Sequence, residues 1–243
     1  MNLLRLGTSL ELLGVMSASS FVNTVHGTSA PGRSGVEAAA GLLSRVPTAF
    51  HGEMLGLMWE ARPAKDAWAY SLCHVWRGNA FRVVNTAGSD RAMLRQWFTF
   101  ADLPASRVPL VRVMCVDIAA LPAEIVLYRG GRGDAAALAQ GLSWTPLRPV
   151  AGLFAGKWST WGHAALPPLI VRRVVPREQV AAVWQRHDRE IVVLEPGPFE
   201  IDAHDPAEIA ALGAEGHAML EAGVLETDAL IQAEIAAAAG WRG

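Results

Sequence analysis

The sequence predicts an α+β protein, and three observations carry that expectation. From Val36 to Phe98 apolar residues recur at helical spacing. After Pro122 they gather in short runs bounded by turn residues, as strands do, and Asp205-Pro206-Ala207-Glu208 is a capping signal that opens an alanine-rich tail. At 243 residues and 51% apolar composition the chain can build one large core or two small ones.

Taken in order, the first stretch is expected to be loose. Residues 1–22 hold apolar patches, but Gly7, Thr8, Ser9 and Glu11 break them before a signal-peptide or membrane-spanning length develops. Residues 17–35 are rich in Ser, Thr, Gly and Pro, so 1–35 reads as a disordered leader. Residues 36–120 read as mainly helical. Ala40, Leu43, Val46 and Phe50, then Leu55 and Met58, give two helical pieces separated at Pro47. A further helix is expected after Ser89, capped by its hydroxyl and burying Met93, Leu94, Trp97 and Phe98.

The strand-rich core is expected over 121–202. Its strands are Glu124 to Arg129, Gly141 to Thr145, Leu169 to Val175 and Glu190 to Leu194, with short helices from Asp134 to Gln140 and near Val150 to Ala155. Pro176 suits the first turn of a helix from Arg177 to Trp184, where its missing N–H is not needed. Residues 203–243 then form a helical tail.

Composition narrows the function classes. Lys and Arg number 21 against 23 Asp and Glu, a net charge of -2 that supplies no global field for nucleic acid or an anionic membrane. Neither is an expected partner. Cys73 and Cys115 lack metal-ligand spacing and lie in apolar runs, which suits reduced core thiols and a cytoplasmic protein.

Three polar signals stand on three separate expected strands: Tyr128-Arg129-Gly130, Ser143-Trp144-Thr145 and Asp188-Arg189-Glu190. A charge ending an apolar run is costly to bury unless paired, so Arg129 suits a guanidinium aimed at phosphate or ribose oxygens, or one that simply reaches water. Ser143 and Thr145 are two apart, so both hydroxyls share a strand face, and Thr145 ahead of Pro146 also suits helix capping. Asp188 and Glu190 share a face in the same way.

In this order the signals resemble the Arg–Ser–Glu class of mono-ADP-ribosyltransferases, which includes bacterial toxins and phage-encoded enzymes. Arg129 matches the arginine closing the family's first core strand, Ser143 with Thr145 its Ser-x-Thr, and Asp188 with Glu190 its Glu-x-Glu, with Asp in the first acidic place. Gly141-Leu142-Ser143-Trp144-Thr145 and Ala151-Gly152-Leu153-Phe154-Ala155 agree with the flanking strand and helix. The resemblance covers roughly 124–195, and implies a split β-sheet core that binds NAD as co-substrate, without a metal.

The resemblance also implies roles. Glu190 would stabilise the oxocarbenium-like sugar formed when the nicotinamide–ribose bond breaks, and Asp188 would orient the acceptor. Ser143 and Thr145 would position Glu190 and the ribose, Arg129 would hold phosphate, and Gly130 would let the backbone approach the nicotinamide amide. Trp158, Trp161, His163 and Lys157 fall where the family lines phosphate and nicotinamide, and Trp161 is assigned to NAD. Trp184 falls near the acceptor loop and is assigned to the substrate. The implied activity is ADP-ribose transfer to a protein, with arginine favoured as acceptor. NAD hydrolysis by the same site, and a non-enzymatic assembly role built on the helical parts, remain open at this point.

Overall fold

The computed structural model describes residues 3–157, 165–184 and 189–238, and is mixed α+β as expected. The chain divides into two compact units, Met1–Arg112 with Ala237–Gly243, and Val113–Ala236.

The first unit is all helix: α1 (Leu3–Leu12), α2 (Ala18–Gly27), α3 (Arg33–Arg45), α4 (His51–Glu60), α5 (Lys65–Thr86) and α6 (Arg91–Ala101), with α7 (Pro109–Met114) at its end. The break at Pro47 falls between α3 and α4, as expected. A loose leader over 1–35 is not what forms: α1, α2 and the start of α3 occupy it, and Leu6, Leu10, Phe21 and Val25 are fully buried. The polar composition that suggests a loop is absorbed locally. Ser17 caps α2 by accepting from the Ser20 N–H at 3.2 Å, and the hydroxyls of Thr8, Ser9 and Thr24 donate to carbonyls one turn back.

The centre of this unit is aromatic. The Trp68 ring packs tilted against Trp59 at 4.9 Å and edge-on to Trp97 at 5.2 Å, and its indole N–H donates to the Trp97 carbonyl at 3.0 Å. On α6, Leu94, Trp97 and Phe98 are buried as the spacing predicts, while Met93 is only half-buried. Its cap is Asp90, whose carboxylate accepts from the Ala92 N–H at 2.8 Å; Ser89 takes a left-handed φ of 60° one residue earlier and cannot serve.

The second unit holds two three-stranded antiparallel sheets. β1 (Glu124–Arg132) pairs along its whole length with β3 (Pro168–Pro176), and β6 (Glu200–Ala203) adds to the far edge of β3. The other sheet has the order β2 (Ser143–Trp144), β5 (Ile191–Val193), β4 (Val180–Val183). Alternation on β1 puts Ile125 and Leu127 into one core with Trp144, Leu169, Val171, Val175, Ile191 and Val193.

Where a helix is expected over 177–184, Arg177–Gln179 makes one 3-10 turn and the chain then enters β4. The β-branched ends Val180 and Val183 pair with Val193 and Ile191, so sheet pairing overrides the proline cue. The helices α8 (Ala135–Ala139) and α9 (Arg148–Lys157) stand where they are expected, α8 capped by the Asp134 carboxylate, which accepts from the Ala137 N–H at 2.8 Å.

α10 (Pro206–Ala238) supplies the tail, opened by Asp205 accepting from the Ala207 N–H at 3.1 Å. It lies close on α9. A Cβ on Gly216 would stand 2.2 Å from the Pro149 carbonyl oxygen and one on Gly152 2.6 Å from Leu212 Cβ, so glycine permits the approach. Arg148 locks the junction, reaching Asp202 on β6 and Glu208 on α10 at 2.6 Å each.

Candidate functional site

The two sheets meet at one point. Tyr128 on β1 and Thr145, just past β2, exchange both backbone hydrogen bonds, N–H to O at 2.7 and 2.9 Å. In an antiparallel ladder alternate residues send their N–H and C=O groups to opposite edges. Gly130 and Ser143, two residues from that pair on either strand, therefore turn their backbone groups toward each other. No backbone bond joins them among the described residues. Instead the Ser143 carbonyl accepts from Nη1 of Arg129. The strands thus join at Tyr128–Thr145 and part at Gly130–Ser143, with a guanidinium at the mouth of the split.

Arg129 is placed there by parity, since it shares the β1 face of Ile125 and Leu127. Its guanidinium lies flat on Gly141, where a Cβ would stand 2.1 Å from both Cζ and Nε. The Nε is buried without a hydrogen-bond partner among the described residues. Burial pushes this guanidinium down to about 10, and the negative charge of Glu190 pulls it back up, so Arg129 remains protonated at neutral pH.

Glu190 reaches the same place from β5. The pairs Ser143–Val192 and Trp144–Ile191 set the register of β2 against β5, which Glu190 directly precedes. Trp144 and Ile191 face the core, and Glu190, just ahead of β5, lies close enough for its charge to act on Arg129. Glu190 is only 6% exposed. Its carbonyl accepts from the Trp184 N–H at 2.8 Å, closing the connection from β4 to β5, and Arg189 just before it adopts a left-handed φ of 46°.

The structure therefore brings Arg129, Gly130, Ser143, Thr145 and Glu190 together at one junction. Three of them make specific contacts within the chain. Arg129 reaches the Ser143 carbonyl and packs against Gly141. The space above Gly130 is filled by α9, whose Ala151 carbonyl oxygen would lie 1.7 Å from a Cβ; glycine is required there for helix packing, and only its backbone groups face the gap. The Thr145 hydroxyl accepts from the Leu147 N–H at 3.1 Å, the turn-capping use that Pro146 suggests.

Trp184 lies elsewhere than its sequence position suggests. Expected on an acceptor-binding loop, it is 1% exposed and part of the sheet, bridging to Cys115 as well as to Glu190. Asp188, Trp158, Trp161, His163 and the other members of 158–164 and 185–188 lie outside the described residues.

Two contributors are missed by sequence reading. Gly141, the seat of Arg129, reads there as the start of a strand. Arg132, at the end of β1, donates from Nε to the Ala155 carbonyl at 3.1 Å and from Nη1 to the Leu166 carbonyl at 2.8 Å, tying α9 to the approach to β3. Arginine at a strand end gives no signal that separates this from a solvated charge.

No protein-family model, curated protein or solved structure matches the chain. Among the described residues no helix is long and apolar enough to cross a membrane, and no three acidic, His or Cys side chains cluster as metal ligands.

Proposed function

We propose that the second unit is an ADP-ribosyltransferase-like core that cleaves the nicotinamide–ribose bond of NAD and transfers ADP-ribose to a protein acceptor. The observation that supports this reading is the meeting of Arg129, Ser143 and Glu190 at the split between β1 and β2, from three strands far apart in sequence. A chance three-part motif has no reason to converge on one junction.

The chemistry follows from the parts. The C1′–N bond breaks heterolytically, nicotinamide leaves with the bonding pair, and positive charge develops on the ribose. A carboxylate fixed beside that ring stabilises the charge only as it forms, which lowers the barrier without tightening ground-state binding. Glu190 has the fixity such a role needs, held through its backbone by Trp184. Arg129 keeps Ser143 and the split in place. The outward N–H and C=O of Gly130 offer one donor and one acceptor, the complement of a primary amide such as nicotinamide's. The acceptor nucleophile then bonds to C1′ and gives up its proton.

Incubating the full chain with NAD labelled in the ADP-ribose moiety, together with a cell extract as acceptor source, tests the proposal. Label retained on protein, and lost with Glu190→Gln, is the expected result. Free ADP-ribose alone would assign hydrolysis to the same site, and no nicotinamide release under any condition would overturn the reading.

A further inference from the structure

Trp144 belongs to the core of the second unit, where it is 2% exposed. Packing alone asks for an apolar ring there, but a buried indole also needs an acceptor for its N–H. That acceptor is the Gly141 carbonyl, at 2.8 Å. The N–H of Gly141 in turn donates to the Leu138 carbonyl of α8 at 3.0 Å, so both backbone groups of this glycine are fixed. Gly141 is the residue on which the Arg129 guanidinium lies. A second buried arginine holds the indole. Arg173 pairs with Leu127 across β1 and β3 and is 4% exposed. Its Cζ stands over the Trp144 ring, 5.4 Å from the centroid. Its Nη1 donates to the Glu195 carbonyl at 2.9 Å, and it closes on Gly197, where a Cβ would stand 2.4 Å from Nη2.

We infer that Trp144 is a positioning residue for Arg129, acting through Gly141, with Arg173 holding the indole in place. An arginine side chain is long and rich in rotamers, so a guanidinium that must meet the Ser143 carbonyl needs a seat that does not shift. The indole N–H supplies that fixity by holding the Gly141 carbonyl. Burying the Arg173 guanidinium is costly, and what it adds over an apolar side chain is a plane set against the indole and tied to the backbone after β5. The path Arg173, Trp144, Gly141, Arg129, Ser143 consists of contacts within the second unit. The inference rests on the NAD reading only in its catalytic arm.

Trp144→Phe keeps a ring and removes the N–H. Solvent exchange of the buried Arg129 Nε–H in the full chain, followed by NMR and assigned by its loss in Arg129→Lys, tests the inference without NAD. It should quicken about tenfold or more in Trp144→Phe and several-fold in Arg173→Lys, while the amides of β1 and β3 keep their protection. In nicotinamide release, kcat of Trp144→Phe should fall about tenfold with KM for NAD within about twofold. That loss should vanish in the Arg129→Lys background, where the indole has nothing left to position. Unchanged exchange in both variants would overturn the inference, and so would a kcat loss that adds in full to that of Arg129→Lys. Equal quickening of the strand amides would reduce Trp144 to packing and overturn it as well. Quickened exchange at Arg129 with no nicotinamide release by wild type would uphold the positioning of Arg129 and overturn the NAD reading instead.

Discussion

The backbone N–H of Trp184 donates to the carbonyl of Glu190 at 2.8 Å, and the indole of the same residue is buried in the second unit. The strand end that carries the candidate catalytic carboxylate is thereby fastened to a large apolar anchor. Trp184 is packed into the sheet rather than exposed on a loop.

Trp184→Phe should therefore fold and keep nicotinamide release within a few-fold of wild type. The indole N–H has no hydrogen-bond partner among the described residues, so its removal leaves no polar group orphaned. Trp184→Ala should cost about 3–5 kcal/mol by chemical denaturation and carry activity down with it. Loss of protein transfer alone in Trp184→Phe, with NAD cleavage intact, would restore the acceptor role.

Gly130→Ala should destabilise the protein by about 2–3 kcal/mol or more, because its Cβ would stand 1.7 Å from the Ala151 carbonyl oxygen and cannot be accommodated without moving α9. Gly141→Ala displaces a side chain, the Arg129 guanidinium, and should lower activity more than stability. Comparing Tm and turnover for the two variants separates the packing glycine from the seat of the arginine.

Arg129→Lys keeps a positive charge but loses the planar fork that reaches the Ser143 carbonyl while lying on Gly141. Turnover should fall about tenfold or more, through kcat. Wild-type kcat in this variant would mean that the clamp is not needed.

The Arg129–Glu190 interaction also has a pH signature. Burial lowers the folded-state value of Arg129 to about 10, well below the ordinary guanidinium value, so its protonation opposes folding at neutral pH and Glu190 offsets part of that cost. Glu190→Gln removes the offset and should destabilise by about 1–3 kcal/mol at pH 7. Above about pH 10 the folded-state guanidinium loses its proton in both proteins, so the difference should shrink. Urea titrations at pH 7 and pH 10.5 measure it; a pH-independent difference would place the cost elsewhere.

Leu10→Ala should cost about 2–5 kcal/mol, since Leu10 is fully buried on α1. A loose leader would leave stability unchanged.

Much of the second unit was legible because strand alternation and turn residues there agree with the tertiary pairing. Glu124 to Arg129 and Leu169 to Val175 lie inside the paired strands β1 and β3, and Asp134 and Asp205 cap the helices their positions suggest. Local cues failed where a distant partner decides. Pro176 permits a helix, but β5 recruits 180–183 into a sheet. Ser and Thr in 1–35 permit a loop, but their hydroxyls fold back on helix carbonyls and the leucines between them find a core. At the site, the order of three short motifs singled out Arg129, Ser143 and Glu190, which the fold brings to one junction. What the arginine grips was not readable, because the close approach of Gly141 is a property of the folded junction.

Nicotinamide release from NAD by wild type and by Glu190→Gln, at equal folded concentration, tests the central claim most directly. The site described here predicts turnover by wild type and a loss of about a hundredfold or more in the variant. Equal release by both proteins would contradict it.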